Sequence, residues 1–383
     1  MRATLPPVIS ETTETSLMKR CASLRIGAAL LATLMVSTVK AQAPSAAATG
    51  PSLPTNVKNA PDATAFKSQI HDFVQGQISK IISEDAAAQK AAKTTLINEC
   101  NSGNSPSFFD VYSAEISSQV VSALEQTPTL RARLNLAYMV SEVARIGKST
   151  QLEPAVIALL KDPEDKVVLW ALRAAQQEMK LILANPQALA QSKLMAEIAN
   201  SAKSHKSGYV TTEAYRALLT ENATSAPKTV VPALPALLDV LELRESQYQA
   251  VIPDEPEADG SIATFLSRVY KDSPAPTQQR IVQLMVNFIS FAGQQARNAP
   301  KADVERMIPA IKNVAQGLNV ICEFDQGTSS PLQAAMSTPN GSQGPEVYNR
   351  TKNVAADLQK AKFTFLKIPP TISAGSTTTT TTP

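Results

Sequence analysis

The sequence predicts an all-α protein whose centre is a short, irregular α-solenoid of helical hairpins flanked by N- and C-terminal helices. Three observations predict it. Glycine is scarce at 13 of 383 residues, well below the average of roughly 7%, so tight turns and glycine-rich loops are few. Alanine-rich segments with apolar residues spaced i, i+3 and i+4 recur along the chain, which is the signature of a helix with one buried face. The stretch "LEPAVIALLKDPEDKVVLWALRAAQQ", Leu152 to Gln177, ends one such pattern at Lys-Asp-Pro and starts a second at once.

Composition excludes several functions. With 44% hydrophobic and 18% charged residues the chain can build one large or two modest cores. Aromatics at 5%, with the single Trp170, leave few stacking platforms for single-stranded nucleic acid or sugars. The net charge of +3 arises at the N-terminus, because residues 1–41 hold five Lys/Arg and two acids, and the remainder carries 31 of each sign. A neutral chain without a basic stripe argues against duplex DNA or an anionic membrane surface as partner.

The order of elements follows from the same patterns. "MKRCASLRIGAALLATLMVSTVKAQA" pairs a basic start with fourteen uncharged residues, Ile26 to Val39, and ends in small residues. It resembles a bacterial secretory signal over 18–41, with cleavage after Ala41, and fourteen residues are short for a membrane-spanning helix. Residues 1–17 are polar and read as a non-native upstream extension, so Met18 is the expected start. Cys21 lacks lipoprotein context. Residues 42–61, rich in Pro, Ala and Ser, read as a disordered linker, and 62–127 as N-terminal helices: one capped by Asp62 with Phe66, Ile70, Phe73, Val74, Ile78 and Ile81 on one face, one over Glu84 to Cys100, and one from Phe108.

Residues 128–250 hold the hairpins. Leu152, Val156, Ile157, Leu159 and Leu160 face inward on a short helix. Asp162 is placed as an N-cap, Pro163 at the first helical position, and Glu164 and Asp165 in the first turn of the next helix. That helix buries Val167, Val168, Ala171, Ala174 and Ala175, with Trp170 near the edge. The alanine cores around Ala137, Ala171 and Ala214 repeat after 34 and 43 residues, bracketing a period of roughly 40; the alternative is a non-repetitive α-bundle. "PQALAQSKLMAEIANSA" and the run from Thr229 supply the intervening helices. Residues 251–275 read as an acidic and polar loop region, 276–366 as a C-terminal helical region in which Pro309 kinks or splits a helix, and 367–383 as a disordered Thr-rich tail.

The segment 152–177 resembles the HEAT-repeat family, in which a short Asp-Pro loop joins helix A to helix B. Family repeats usually carry an Arg after the valine of helix B, pairing with the loop aspartate of a neighbouring repeat. Here that position is Val168, so the resemblance implies an irregular, armadillo-like superhelix.

Chemistry-bearing motifs are few. His71 and His205 read as surface histidines, since neither has a nucleophile or carboxylate arrangement in sequence. With two Cys and two His scattered after residue 41, no zinc spacing arises, and no cofactor is expected. Ser225 to Lys228 forms an isolated S-x-x-K at a helix entry. Asn222, Asn340 and Asn349 head glycosylation triplets without significance behind a bacterial signal. Asp254, Glu255, Glu257 and Asp259 precede Gly260, but an EF-hand register places Leu266 at the bidentate position, so a solvated acidic loop is expected. Cys100 and Cys322 are either a disulfide or two buried thiols. The expected role is a secreted or periplasmic protein-binding scaffold without catalysis, using Lys166, Arg173, Gln177 and Lys180 as the partner surface. Alternatives are an envelope enzyme using carboxylates near 254–259 and a self-assembling structural protein.

Overall fold

Short polar side chains set the helix starts. Asp62 accepts from the Thr64 amide (2.9 Å) and opens a turn that runs into α2 (Lys67–Ile81), following the short α1 (Thr55–Lys58). Asp85 takes the amides of Ala87 and Ala88 to start α3 (Ala86–Glu99). Ser105 takes that of Phe108 to start α4 (Pro106–Glu125), and Thr129 that of Ala132 to start α5 (Leu130–Gly147). Each cap satisfies amides that the helix itself leaves open.

The computed structural model describes residues 52–100, 103–205, 207–219, 231–326, 344–360 and 363–372, and these are helical with no strand among them. The chain is all-α. After α5 come α6 (Glu153–Leu160), α7 (Asp165–Ala184), α8 (Pro186–Gln191), α9 (Leu194–Ser204) and α10 (Gly208–Leu219). Then follow α11 (Leu234–Ala250), α12 (Gly260–Tyr270), α13 (Ala275–Ala296), α14 (Lys301–Gln326), α15 (Gly344–Thr351) and α16 (Val354–Lys360). Contacts run α2, α4, α6, α9, α11, α13 along one row and α3, α5, α7, α10 along a second. The rows pack on each other through α2 with α3, α6 with α7, and α9 with α10. Ala137, Ala171, Ala174, Ala175, Ala214 and Ala217 are all buried at these contacts, where small side chains let backbones approach closely.

The Lys-Asp-Pro joint differs in detail from its sequence reading. Glu164 occupies the cap position and α7 begins at Asp165, because Asp162 uses one carboxylate oxygen on the Glu164 amide (2.9 Å) and the other on Arg133 of α5 (2.8 Å). The Asp162 side chain thus ties the joint of one hairpin to the first turn of the preceding long helix. The next joint repeats the arrangement with other chemistry: His205, between α9 and α10, meets Asp165 of α7 at 2.6 Å. His205 is buried, which corrects its reading as a surface residue; His71 is half-exposed and pairs with Glu115 (2.9 Å).

Other expectations are also corrected. The second half of the 42–61 segment is not a free linker: Leu53, Val57 and Ala60 are buried and Lys58 pairs with the buried Glu99 at 3.0 Å. The A helix of 186–202 is split into α8 and α9, since Glu153 captures both the Ser192 hydroxyl (2.9 Å) and the Lys193 amide (2.8 Å). Region 251–275 contains α12. Helix α14 is not split at Pro309 but continues through it, its packing on α12 and α13 offsetting the lost backbone bond. The start of the 367–383 tail lies along α13, with Gln283 holding Lys367 and Gln294 holding Pro370 and Ile372. The described residues from Ser52 to Ile372 belong to one compact unit. On α13, Gly293 admits Thr351 of α15 so closely that a Cβ would collide with its hydroxyl. Among the described residues no helix is long and apolar enough to cross a membrane; residues 1–51, including the segment 18–41 read as a signal, and the 225–228 motif lie outside them.

Asp162→Ala removes the hydrogen bond to the Glu164 amide in the turn before α7 and an inter-helix ion pair together, so it should lower the unfolding free energy in urea by about 2–3 kcal/mol. Asp162→Asn, which keeps the turn hydrogen bond, should cost about half as much, and a double-mutant cycle with Arg133→Ala should show coupling. A loss below about 0.5 kcal/mol for the alanine variant contradicts the tie.

Candidate functional site

Two places gather chemistry-bearing side chains. The first is buried. Arg244 of α11 and Asp259, just before α12, are 1% and 2% exposed and meet through Nε at 3.0 Å to both carboxylate oxygens. Tyr248 (2.8 Å) and Tyr215 (3.1 Å) donate their hydroxyls to the same carboxylate. Arg244 also donates to the Asp254 carbonyl (2.5 Å) and to Gln247 (3.3 Å), which itself donates to Thr211 of α10. Burial pushes the Asp259 carboxyl above the ordinary aspartate range, and the Arg244 charge and the hydroxyl and guanidinium hydrogen bonds pull it back. Gly208, at the start of α10, leaves room for the Asp254 backbone and the guanidinium; a Cβ there would come within 2.8 Å of the Asp254 amide nitrogen.

This overturns the solvated-loop reading for Asp259. Asp259 is in the core, Asp254 is exposed, and Glu255 lies 3.8 Å from Arg216. The cavity beside the cluster, lined by Glu245, Leu241, Met285 and Phe288, has a volume of about 30 Å³, room for about one water. Burial, and then the nearby Glu242, push the Glu245 carboxyl up to about 7, while Asn287 donates to it at 2.8 Å. A polymer or small-molecule substrate does not fit such a cavity. The cluster holds α10, α11 and α12 together. Among the described residues no group of His, Cys, Asp and Glu is placed to hold a metal.

Glu178 of α7 is fully buried, and neither carboxylate oxygen has a partner among the described residues. Desolvation, followed by the charge of Glu153, raises its pKa well above the usual glutamate range. Cys100 and Cys322 are buried thiols not joined to each other, on α3's C-cap and on α14, which pack against different neighbours; the bridge between them is withdrawn. Burial, with Glu99 adjacent, lifts the Cys100 thiol to about 12 and keeps it inert.

The second place is the outer side of α3, α5 and α7. Lys166 and Arg173 are exposed; Gln177 and Lys180 are half-buried on the same helix face. Sequence spacing identified these four, but missed what surrounds them. The Arg173 guanidinium lies 4.5 Å from the Trp170 ring, Trp170 meets Tyr138 edge to face at 4.8 Å, and Lys93 of α3 lies 4.7 Å from the Tyr138 ring. Lys93 also donates to Asn135 (3.0 Å), and Lys90, Lys93, Thr94, Ile97 and Tyr138 line a depression between α3 and α5. Desolvation, and then Lys90, lower the Lys93 pKa.

Charge is sorted between the rows. Helices α3, α5, α7 and α10 carry nine Lys/Arg and five Asp/Glu, whereas α2, α4, α6, α9, α11 and α13 carry five and nine. The five acids of the first group are occupied or hidden: Glu99 by Lys58, Glu142 by Arg145, Asp165 by His205, Glu213 by Arg216, and Glu178 in the core. Among the described residues no carboxylate is within ion-pair distance of Lys90, Lys93, Arg131, Lys166 or Arg173. The overall neutrality of the sequence therefore conceals a basic stripe, contrary to its composition-level reading.

Two predictions follow from the buried groups. Arg244→Met should cost about 3–5 kcal/mol in urea unfolding by stranding Asp259, and Arg244→Met with Asp259→Leu should regain most of it; an equal loss in the double variant contradicts the cluster's role. Because Glu178 has a folded pKa above its unfolded one, its contribution is fully present below about pH 4.5 and is lost as pH rises, at about 1.4 kcal/mol per unit. Glu178→Gln should therefore raise the melting temperature more at pH 8 than at pH 5, and equal shifts at both pH values argue against a protonated Glu178.

No family model matches the chain, and no curated protein matches it in sequence.

Proposed function

We propose that the protein is a secreted or periplasmic HEAT-like scaffold that binds another protein through the outer face of α3, α5 and α7, without bond-making chemistry. The observation that carries this reading is the contiguous run Lys93, Tyr138, Trp170, Arg173 across three helices, flanked by Lys90, Arg131 and Lys166. Tyr, Trp and Arg are the residues that dominate binding energy at protein interfaces. The two-row packing of hairpins supports the solenoid reading, because such stacks present one row of helices as an extended surface. The leader-like segment 18–41 supports export.

Immobilised protein should retain an envelope protein saturably, and Lys93→Glu with Lys166→Glu and Arg173→Glu should cut that retention about tenfold. Retention that ignores the triple variant contradicts the assignment of this face.

A further inference from the structure

The proposed binding face has a charge pattern that specifies its partner. We infer that the α3/α5/α7 face binds an acidic, Asp/Glu-rich polypeptide segment; this rests on the scaffold reading above and narrows it. Lys90, Lys93, Arg131, Lys166 and Arg173 project from three neighbouring helices, and no carboxylate among the described residues pairs with them. Two acids of these same helices are already committed: Arg145 takes Glu142 at 2.6 Å and His205 takes Asp165 at 2.6 Å. The face therefore offers cations with no carboxylate partner among the described residues.

On the opposite row, four of the nine acids are already ion-paired: Glu115 by Lys67 and His71, Glu197 by Lys161, Asp239 by Lys203 and Arg280, and Glu242 by Arg280. The exposed Asp72 and Glu125 stand on separate helices, too sparse to match five cations in a second copy.

The aromatic residues distinguish polypeptide from nucleic acid. Single strands bind by stacking bases on open ring faces. Here Arg173 lies over Trp170 and Lys93 over Tyr138, with Tyr138 and Trp170 packed against each other. The rings hold the cations in place, and the held guanidinium presents its planar fork, which matches a carboxylate. Helices packed at about 8–10 Å make three of them about 20–30 Å wide, a width that about eight extended residues cross at about 3.3 Å each.

The test is fluorescence anisotropy of the full chain with a labelled 15-residue peptide of Asp, Glu and Leu. The comparison ligands are the same peptide with Asn and Gln for the acids, and a 15-nucleotide single strand. The acidic peptide should bind at least about tenfold more tightly than the amide peptide, weaken as salt rises, and outcompete the oligonucleotide. Arg173→Glu with Lys93→Glu should weaken it about tenfold, and Arg173→Lys, which keeps charge but loses the fork, about threefold. Circular dichroism melting of each variant verifies folding. Equal affinity for acidic and amide peptides, binding unchanged in the charge-reversed variant, or tighter binding of the oligonucleotide overturns the proposal. Should the capture of a protein remain face-dependent while the acidic peptide fails, the scaffold reading stands and the acidic partner falls; should both fail, both fall.

Discussion

Removing Arg244 and Asp259 from water is the step on which the arrangement of the second half depends. Either charge alone in that position would cost several kcal/mol. Together, with Tyr215, Tyr248 and the Asp254 carbonyl filling the remaining hydrogen-bond positions, they are matched. The geometry is only reached when α10, α11 and the turn before α12 sit in one register. That register ends the second row of helices on α11 and hands the chain to α12, α13 and α14. The tyrosines make the constraint specific, since a bare ion pair could tolerate sliding and a four-residue network does not.

Smaller ties of the same kind set the earlier hairpins. Asp162 with Arg133, and His205 with Asp165, each link a hairpin joint to the first turn of the helix before it. Each tie consumes charges near the joints. What remains uncommitted is the middle of α3, α5 and α7, where lysines and arginines stand against aromatic rings instead of acids. The helix ties and the cationic face are thus two results of one distribution of charge: ion-paired acids at the joints and between first-row helices, and cations without ion pairs among the described residues along the second row.

Much of the fold was legible because it depends on local signals. The alanine cores of α5, α7 and α10, the cap at Asp62, and the inward face of α7 all follow from spacing within a helix turn or two. Asp259 was misread because its partner Arg244 is fifteen residues away and its tyrosines eleven and forty-four, so nothing adjacent distinguished it from Asp254. His205 looked exposed for the same reason, sitting in a polar run while its carboxylate is forty residues earlier. Leu53 and Val57 were hidden by the prolines around them. Of the surface site, Lys166 and Arg173 were found by helical spacing, but Lys90, Lys93 and Tyr138 were not, because their membership depends on which helices are neighbours. Counting charge separately over alternate helices would have exposed the stripe in the sequence itself.

The central claim is that the second-row face is where the molecule meets its partner. Lysine acetylation footprinting tests it most directly, comparing modification rates with and without the acidic peptide bound. The account predicts that Lys90, Lys93 and Lys166 become protected together, while Lys67, Lys80 and Lys301 on other helices react at unchanged rates. Protection spread evenly over all lysines, or confined to the first-row helices, would contradict it.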